Sequence, residues 1–262
     1  MDVLEVEDLT VTMAGNPADP MVVEGVSFSL AEGQVLGLTG RSGAGKTMIA
    51  NALTGLLLAP AKISRGVIRI AGREVPIHNP RAWRGRRGRE IFLIFQSSAS
   101  ALNPSLSVGR QIAEVLVDLK GAGPAQAGRR AEDCLAAVGL AGAYHLYPFQ
   151  LSGGMRQRVQ IALALALQPR IVMADEPTTG LDALSQVEIL RLLISYKEER
   201  GAALILISHD LRIMAALADR VGVISRGRLV ELAATTQILS RPRHPGTREL
   251  VEALDFMEAG VA

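Results

Sequence analysis

Between residues 35 and 225 the chain repeatedly lays down a short apolar run and follows it with residues of helical period. That alternation limits its fold more than any other feature. The runs are Val35–Thr39, Ile91–Phe95, Ile171–Asp175, Ala203–Ser208 and Arg220–Ser225. They are largely apolar without alternation, so as strands they must be covered from both sides. Strands of this kind alternating with helices predict an α/β fold with a mostly parallel core sheet. The N-terminal part reads differently. Val3 to Thr12 and Met21 to Leu30 alternate apolar and polar residues, as half-buried antiparallel strands do, with Asn16-Pro17-Ala18-Asp19-Pro20 as the loop between them. From about 108 to 146 the chain is rich in alanine, helical in period and without strand pattern. It is read as a small helical lobe inserted into the sheet domain, the alternative being two ordinary covering helices. After Thr235 two short helices are expected around Arg241-Pro242-Arg243-His244-Pro245. The expectation is one domain over 1–262, with 108–146 as a helical subdomain and 235–262 as a helical tail.

With 48% hydrophobic residues among 262, the chain can bury one large core and a small appended lobe. A net charge of +2 is too near neutral to indicate nucleic acid. The arginine-rich stretch from Arg81 to Arg89 reads as a solvated connection, since Trp83 alone makes a poor stacking platform for bases. One cysteine, Cys134, excludes an internal disulfide and any cysteine-built metal cluster, so a reducing compartment is expected. No apolar run reaches the roughly 18 residues of a spanning helix. The acidic, alternating start from Met1 to Glu5 reads as a strand and not as a signal peptide.

Where the first apolar run ends, Gly40-Arg41-Ser42-Gly43-Ala44-Gly45-Lys46-Thr47 fits a phosphate loop between strand and helix. Its glycines let backbone N–H groups curl around phosphates. Lys46 can reach the β- and γ-phosphates, and Thr47 offers a hydroxyl to Mg²⁺. The run Ile171–Asp175 ends in two carboxylates: Asp175 is placed to hold the metal, and Glu176 to take a proton from an attacking water. Gln96 and His209 also follow strand ends, the edge at which open sheets bind ligands. Gln96 could meet Mg²⁺ or the water, and His209 the γ-phosphate. Ser152, Gly153 and Gly154 open a helix over Met155–Leu167. Ser152 suits an N-cap, which alone would explain it, yet the two glycines also leave N–H groups bare for an anion. A second anion site of this kind suggests that two chains share each nucleotide.

These pieces, in this order, resemble the ATP-binding subunit of ABC transporters. Walker A corresponds to Gly40–Thr47, the Q-loop to Gln96, the signature to Leu151–Met155, Walker B to Ile171–Glu176, the D-loop to Leu181-Asp182 and the switch histidine to His209. The resemblance implies an ABC-type P-loop NTPase fold with an N-terminal antiparallel β subdomain and an inserted α-helical subdomain. It implies ATP and Mg²⁺ as cofactors, and a head-to-tail dimer in which each ATP lies between one Walker A and the partner's signature. The stretch Leu102–Ile112, the wording of Leu146–Met155 and the segment His244–Leu250 are similar to the peptide and nickel importers. The chain lacks the cysteine cluster that often ends the longer peptide-type subunits, and its brevity and the wording of Tyr147–Met155 are similar to the nickel-type or metallophore-type subunit, the branch that is favoured. Met13 stands near where the family often places an aromatic ring against adenine. Its thioether can still pack on a ring, so modest nucleotide affinity with little base discrimination is expected.

The partners implied are two transmembrane permease subunits, a second ATP-binding subunit (a non-identical sister, or a copy of itself), and indirectly an extracytoplasmic solute-binding protein. No nucleic acid is implied, and the place implied is the cytoplasmic face of the bacterial inner membrane. The cargo is a small solute: nickel, a metal chelate or a short peptide. The competing readings are an exporter ATPase and a soluble ABC ATPase acting on ribosomes or DNA. Histidines such as His78 and His145 are not read as nickel ligands, because this subunit does not touch the cargo.

Overall fold

The apolar runs form strands. In the computed structural model, which describes residues 1–14 and 21–259, the first half contains β1 (Asp2–Met13), β2 (Met21–Ala31), β3 (Val35–Thr39), α1 (Lys46–Thr54), β4 (Ala61–Ile70), β5 (Arg73–Glu74), α2 (Pro80–Arg84), β6 (Ile91–Ile94), α3 (Ser98–Ala101), α4 (Val108–Lys120) and α5 (Pro124–Ala137). There follow α6 (Gly153–Leu167), β7 (Ile171–Asp175), α7 (Ala183–Arg200), β8 (Ala203–Ile207), α8 (Leu211–Leu217), β9 (Arg220–Ser225), β10 (Arg228–Ala234), α9 (Thr235–Ser240) and α10 (Pro245–Ala259). The expected loop at 16–20 lies outside the described residues. Two compact units divide the chain, Met1–Arg86 with Ala203–Ala262, and Arg87–Ala202.

In the first unit β2, β1, β4 and β5 form an antiparallel sheet in that order. Its β1 carries a bulge. The register with both neighbours shifts near Asp8, whose φ is +52°, and the Asp8 carboxylate meets Arg65 at 2.7 Å. A second set of strands centres on β3, which pairs in parallel with β8 on one side and β9 on the other. All five residues of β3 and of β8 are buried, as two covered faces require. β10 returns antiparallel to β9. The sequence reading assigned no strand to β4 or β10. In β4 the alternation of Ile63, Ile68 and Ile70 is broken at Arg65-Gly66, opposite the bulge, so its period is lost in the sequence. The tail does form two helices, but α10 runs for 15 residues and is not short. Trp83 is 2% exposed and packs at the C-terminus of α1, where a Cβ on Gly55 would fall 2.2 Å from its ring.

In the second unit β6 and β7 pair in parallel. The alanine-rich segment supplies α4, ended by Gly121 in the left-handed conformation, and α5, begun by Pro124 at a helix N-terminal position. The Val108 N–H donates to Leu146 O at 2.9 Å, tying the two ends of this segment together. Gly109 lets α4 pass under Tyr144, whose ring carbons stand 2.2 Å from where a Cβ would be. α6 is buried on nearly every side, as a helix crossing a core should be. The Tyr196 hydroxyl of α7 donates to Pro169 O at 2.9 Å, beside the start of β7.

Candidate functional site

β3 delivers the chain to its glycine loop under tight constraint. A Cβ on Gly40 would lie 2.1 Å from Ile224 O, so no side chain fits where β3 passes β9. The loop is then braced through backbone. Gly227 N–H donates to Ala44 O at 3.0 Å, and Glu24 N–H donates to Gly227 O at 2.8 Å. Arg226 and Gly227 both have positive φ, the type I′ pattern of a two-residue hairpin, and a Cβ on Gly227 would strike Val22 O at 2.5 Å. Glu24 also binds the Arg228 guanidinium through both carboxylate oxygens.

α1 starts with Gly45 as its N-cap, without a side chain to occupy the first N–H groups and without an acidic residue in the first turn. Its positive end is therefore left for an external anion. Lys46 is 7% exposed, and its ammonium donates to Gly40 O at 2.8 Å and Arg41 O at 3.2 Å, folded over the loop. The Thr47 side chain is exposed beside it. A glycine-built cradle, a buried ammonium, an uncapped helix start and a hydroxyl together fit a polyphosphate with a divalent cation.

At the end of β8 the Ser208 N–H donates to Leu38 O at 3.2 Å, and His209 follows with its side chain exposed. Asp210 then caps α8, accepting from Arg212 N–H at 2.9 Å and pairing with the Arg212 guanidinium at 2.7 Å. That guanidinium bond, with the backbone N–H after it, holds the Asp210 carboxyl below the usual range.

In the second unit β7 brings Asp175, 3% exposed, to its carboxyl end. Glu176 is next, 8% exposed with φ +46°. A non-glycine residue held there costs about 1–3 kcal/mol and persists only where its surroundings over-determine it. Thr179 does part of that, donating its hydroxyl to Glu176 Oε2 at 3.1 Å and its N–H to Glu176 O at 3.2 Å. Gln96 lies exposed beyond β6. Ser152 is the N-cap of α6 and accepts from Met155 N–H at 3.2 Å, while Gly153 and Gly154 are half-buried. Just before them Tyr147 and Phe149 stack at 5.7 Å, and Phe149 is 74% exposed.

The family model described as ABC transporter matches residues 23–179. The dipeptide transport ATP-binding protein DppD of Lactococcus lactis subsp. cremoris is 38% identical over 263 residues, covering 99% of this chain and 75% of the relative. This chain belongs to the ABC transporter ATP-binding subunits. The oligopeptide transport ATP-binding protein OppD of Bacillus subtilis is 36% identical over 260 residues, 98% of this chain and 73% of that one. Among solved structures, the dimeric post-hydrolysis state of the ATP-binding cassette MJ0796 bound to ADP and Pi superposes with a TM-score of 0.79 at 26% identity. It covers 88% of this chain and 98% of its own.

The ABC subunit is an ATPase coupled to transport, and its expected fold, antiparallel N-terminal strands with parallel core strands and helices, is the one found. The first unit holds Met13, Gly40, Arg41, Ser42, Gly43, Ala44, Gly45, Lys46, Thr47 and His209. The second holds Gln96, Ser152, Gly153, Gly154, Asp175, Glu176 and Asp182. Met13 is half-buried at the end of β1, opposite Ala61. Asp182, expected at the nucleotide, is the N-cap of α7: it accepts from Ser185 N–H at 2.9 Å and from the Ser185 hydroxyl at 2.7 Å, and these bonds lower its carboxyl. Sequence reasoning missed the brace at Glu24, Arg226 and Gly227, for which the Arg-Gly turn after an apolar run was an available signal. It also missed Gln157 and Gln160, buried on α6 and bonded to the residue before Gln96.

Proposed function

We propose that this ATPase powers the import of short peptides through a membrane permease, with Mg²⁺ accompanying the nucleotide. What carries the reading is the likeness to a dipeptide transport ATP-binding protein across 99% of the chain. In this reading the backbone of residues 40–47, Lys46 and Thr47 bind the phosphates and their metal, and Asp175 and Gln96 serve the metal. Glu176 takes the proton of the attacking water, and His209 meets the γ-phosphate. Met13 faces the base. Ser152, Gly153 and Gly154, with Asp182 nearby in sequence, serve the nucleotide of a second ATP-binding subunit. That subunit is a non-identical sister. The two compact units act as one ATP-binding domain in which 108–146 is the helical subdomain.

No helix of the described residues is long and apolar enough to cross a membrane. We place the chain at the cytoplasmic face of the bacterial inner membrane, held by two permease subunits. The segment from Gln96 to about Arg110, which leads into α4, and the exposed Tyr147–Phe149 pair are the surfaces that would receive a permease helix, the pair supplying the apolar part. A solute-binding protein outside would deliver the cargo.

The test is purification from gently solubilised membranes. Recovery with two polytopic permeases and a second ATPase, together with peptide capture by the cognate binding protein, supports the reading. Nickel or chelate capture would move it to the branch that Leu146–Met155 resembles. Recovery without a binding protein would favour an exporter, and recovery with ribosomes or DNA would end the transport reading.

A further inference from the structure

Two glutamines lie deep in the second unit with nothing yet asked of them. Gln157 and Gln160 are each 2% exposed, three residues apart on α6 and so on one face of it. Both reach the backbone of Phe95, the residue between β6 and Gln96. Phe95 N–H donates to Gln160 Oε1 at 2.8 Å. Gln160 Nε2 donates to Gln157 Oε1 at 3.1 Å and lies 3.4 Å from Phe95 O, which Gln157 Nε2 approaches at 3.5 Å. A primary amide is suited to this task, because it offers an acceptor and donors together, as a neighbouring strand would. The pair continues the β-ladder for one residue past the end of β6.

Packing covers Phe95 only in part, since the residue is 37% exposed. The amides hold it. Their own helix begins at Ser152, Gly153 and Gly154, about one turn before Gln157. One rigid rod therefore carries the signature at its start and grips the root of Gln96 one to two turns later. We infer that Gln157 and Gln160 are positioning residues that make Gln96 move with the signature segment. They touch no reacting atom, and the inference rests on the roles given above to Gln96 and to residues 152–154. A plain structural role would instead confine their effect to stability.

The experiment follows amide hydrogen exchange in peptides covering 96–102 and 152–157, in the full chain carrying Glu176→Gln, with and without ATP and with its sister subunit present. In that parent both peptides should change protection when ATP is added. Adding Gln160→Leu should leave the change at 152–157 intact and abolish the change at 96–102. With Glu176 restored, Gln160→Leu should lower kcat roughly tenfold, about 1.4 kcal/mol, with nucleotide affinity within about twofold of the parent. Gln160→Glu should recover activity as the pH falls. A buried carboxyl is neutral over a raised pH range, and in that form it again offers both a donor and an acceptor. If 96–102 responds to ATP in Gln160→Leu as in the parent, or if nucleotide affinity falls in step with kcat, the coupling is wrong. If neither peptide responds even in the parent, it is the roles of Gln96 and the signature that fail. Gln157→Leu removes the longest contact with Phe95 and the acceptor of Gln160 Nε2 but leaves the bond from Phe95 N–H to Gln160, so its loss should be smaller; a loss equal to that of Gln160→Leu would also count against the coupling.

Discussion

Asp210 starts α8 with one carboxylate that serves two partners, the Arg212 N–H and the Arg212 guanidinium. Its folded pKa is lowered, so the stability it adds is present above the ordinary aspartate range. That stability is lost as the pH falls through the depressed folded value. Replacing a capping aspartate by alanine costs about 1 kcal/mol. Asp210→Ala should therefore lower the melting temperature at neutral pH, and the gap to the parent should close on acidification below that range. A gap that persists unchanged in acid would mean that the cap is not what the carboxylate supplies. The placement of Lys46 and Thr47 after a glycine loop, and of Asp175 and Glu176 at a strand end, was legible in the sequence because that spacing is local. Gln160 was not. Its partner lies 65 residues away, and a glutamine on a helix reads as a solvated residue until a buried backbone group is found beside it. Asp182 was read for a place at the nucleotide, and the structure adds that it caps α7, which a serine three residues on could have signalled.

Elements were legible where their period was unbroken. β3, β7 and β9 fall within the runs that defined them, and α6 begins at the serine expected to cap it. β4 was illegible because its bulge partner changes the face that its isoleucines occupy, and a strand's period survives no such slip. α4 shows where propensity and packing oppose each other. Gly109, in the first turn, weakens that helix by less than the roughly 0.8–1.0 kcal/mol that a glycine costs relative to alanine in a helix interior. Yet an added methyl would stand 2.2 Å from the Tyr144 ring. Overpacking typically costs about 1–3 kcal/mol and meets here the near edge of a ring, not a flexible chain end. Gly109→Ala should therefore destabilise the protein despite the gain in helix propensity, which urea denaturation would read directly. Stabilisation would show that Tyr144 can turn aside at little cost.

At the scale of the whole molecule the likeness to a dimeric cassette bound to ADP and Pi bears on Glu176. If that carboxylate is the base, Glu176→Gln should bind ATP and hydrolyse it roughly 10²–10⁴ times more slowly. Held with ATP and the second ATP-binding subunit proposed above, it should also elute as a stable pair of ATP-binding chains in light-scattering chromatography. Turnover near that of the parent would remove Glu176 from the role. A different consequence follows from the single tryptophan of this chain. Trp83 is sealed against the C-cap of α1, about 13 Å along the helix from Lys46. The protein's indole emission thus originates from one place, at the far end of the rod that starts on the phosphate loop. A change in its intensity or quenching when nucleotide arrives is an unlabelled optical record of how far the disturbance travels along α1.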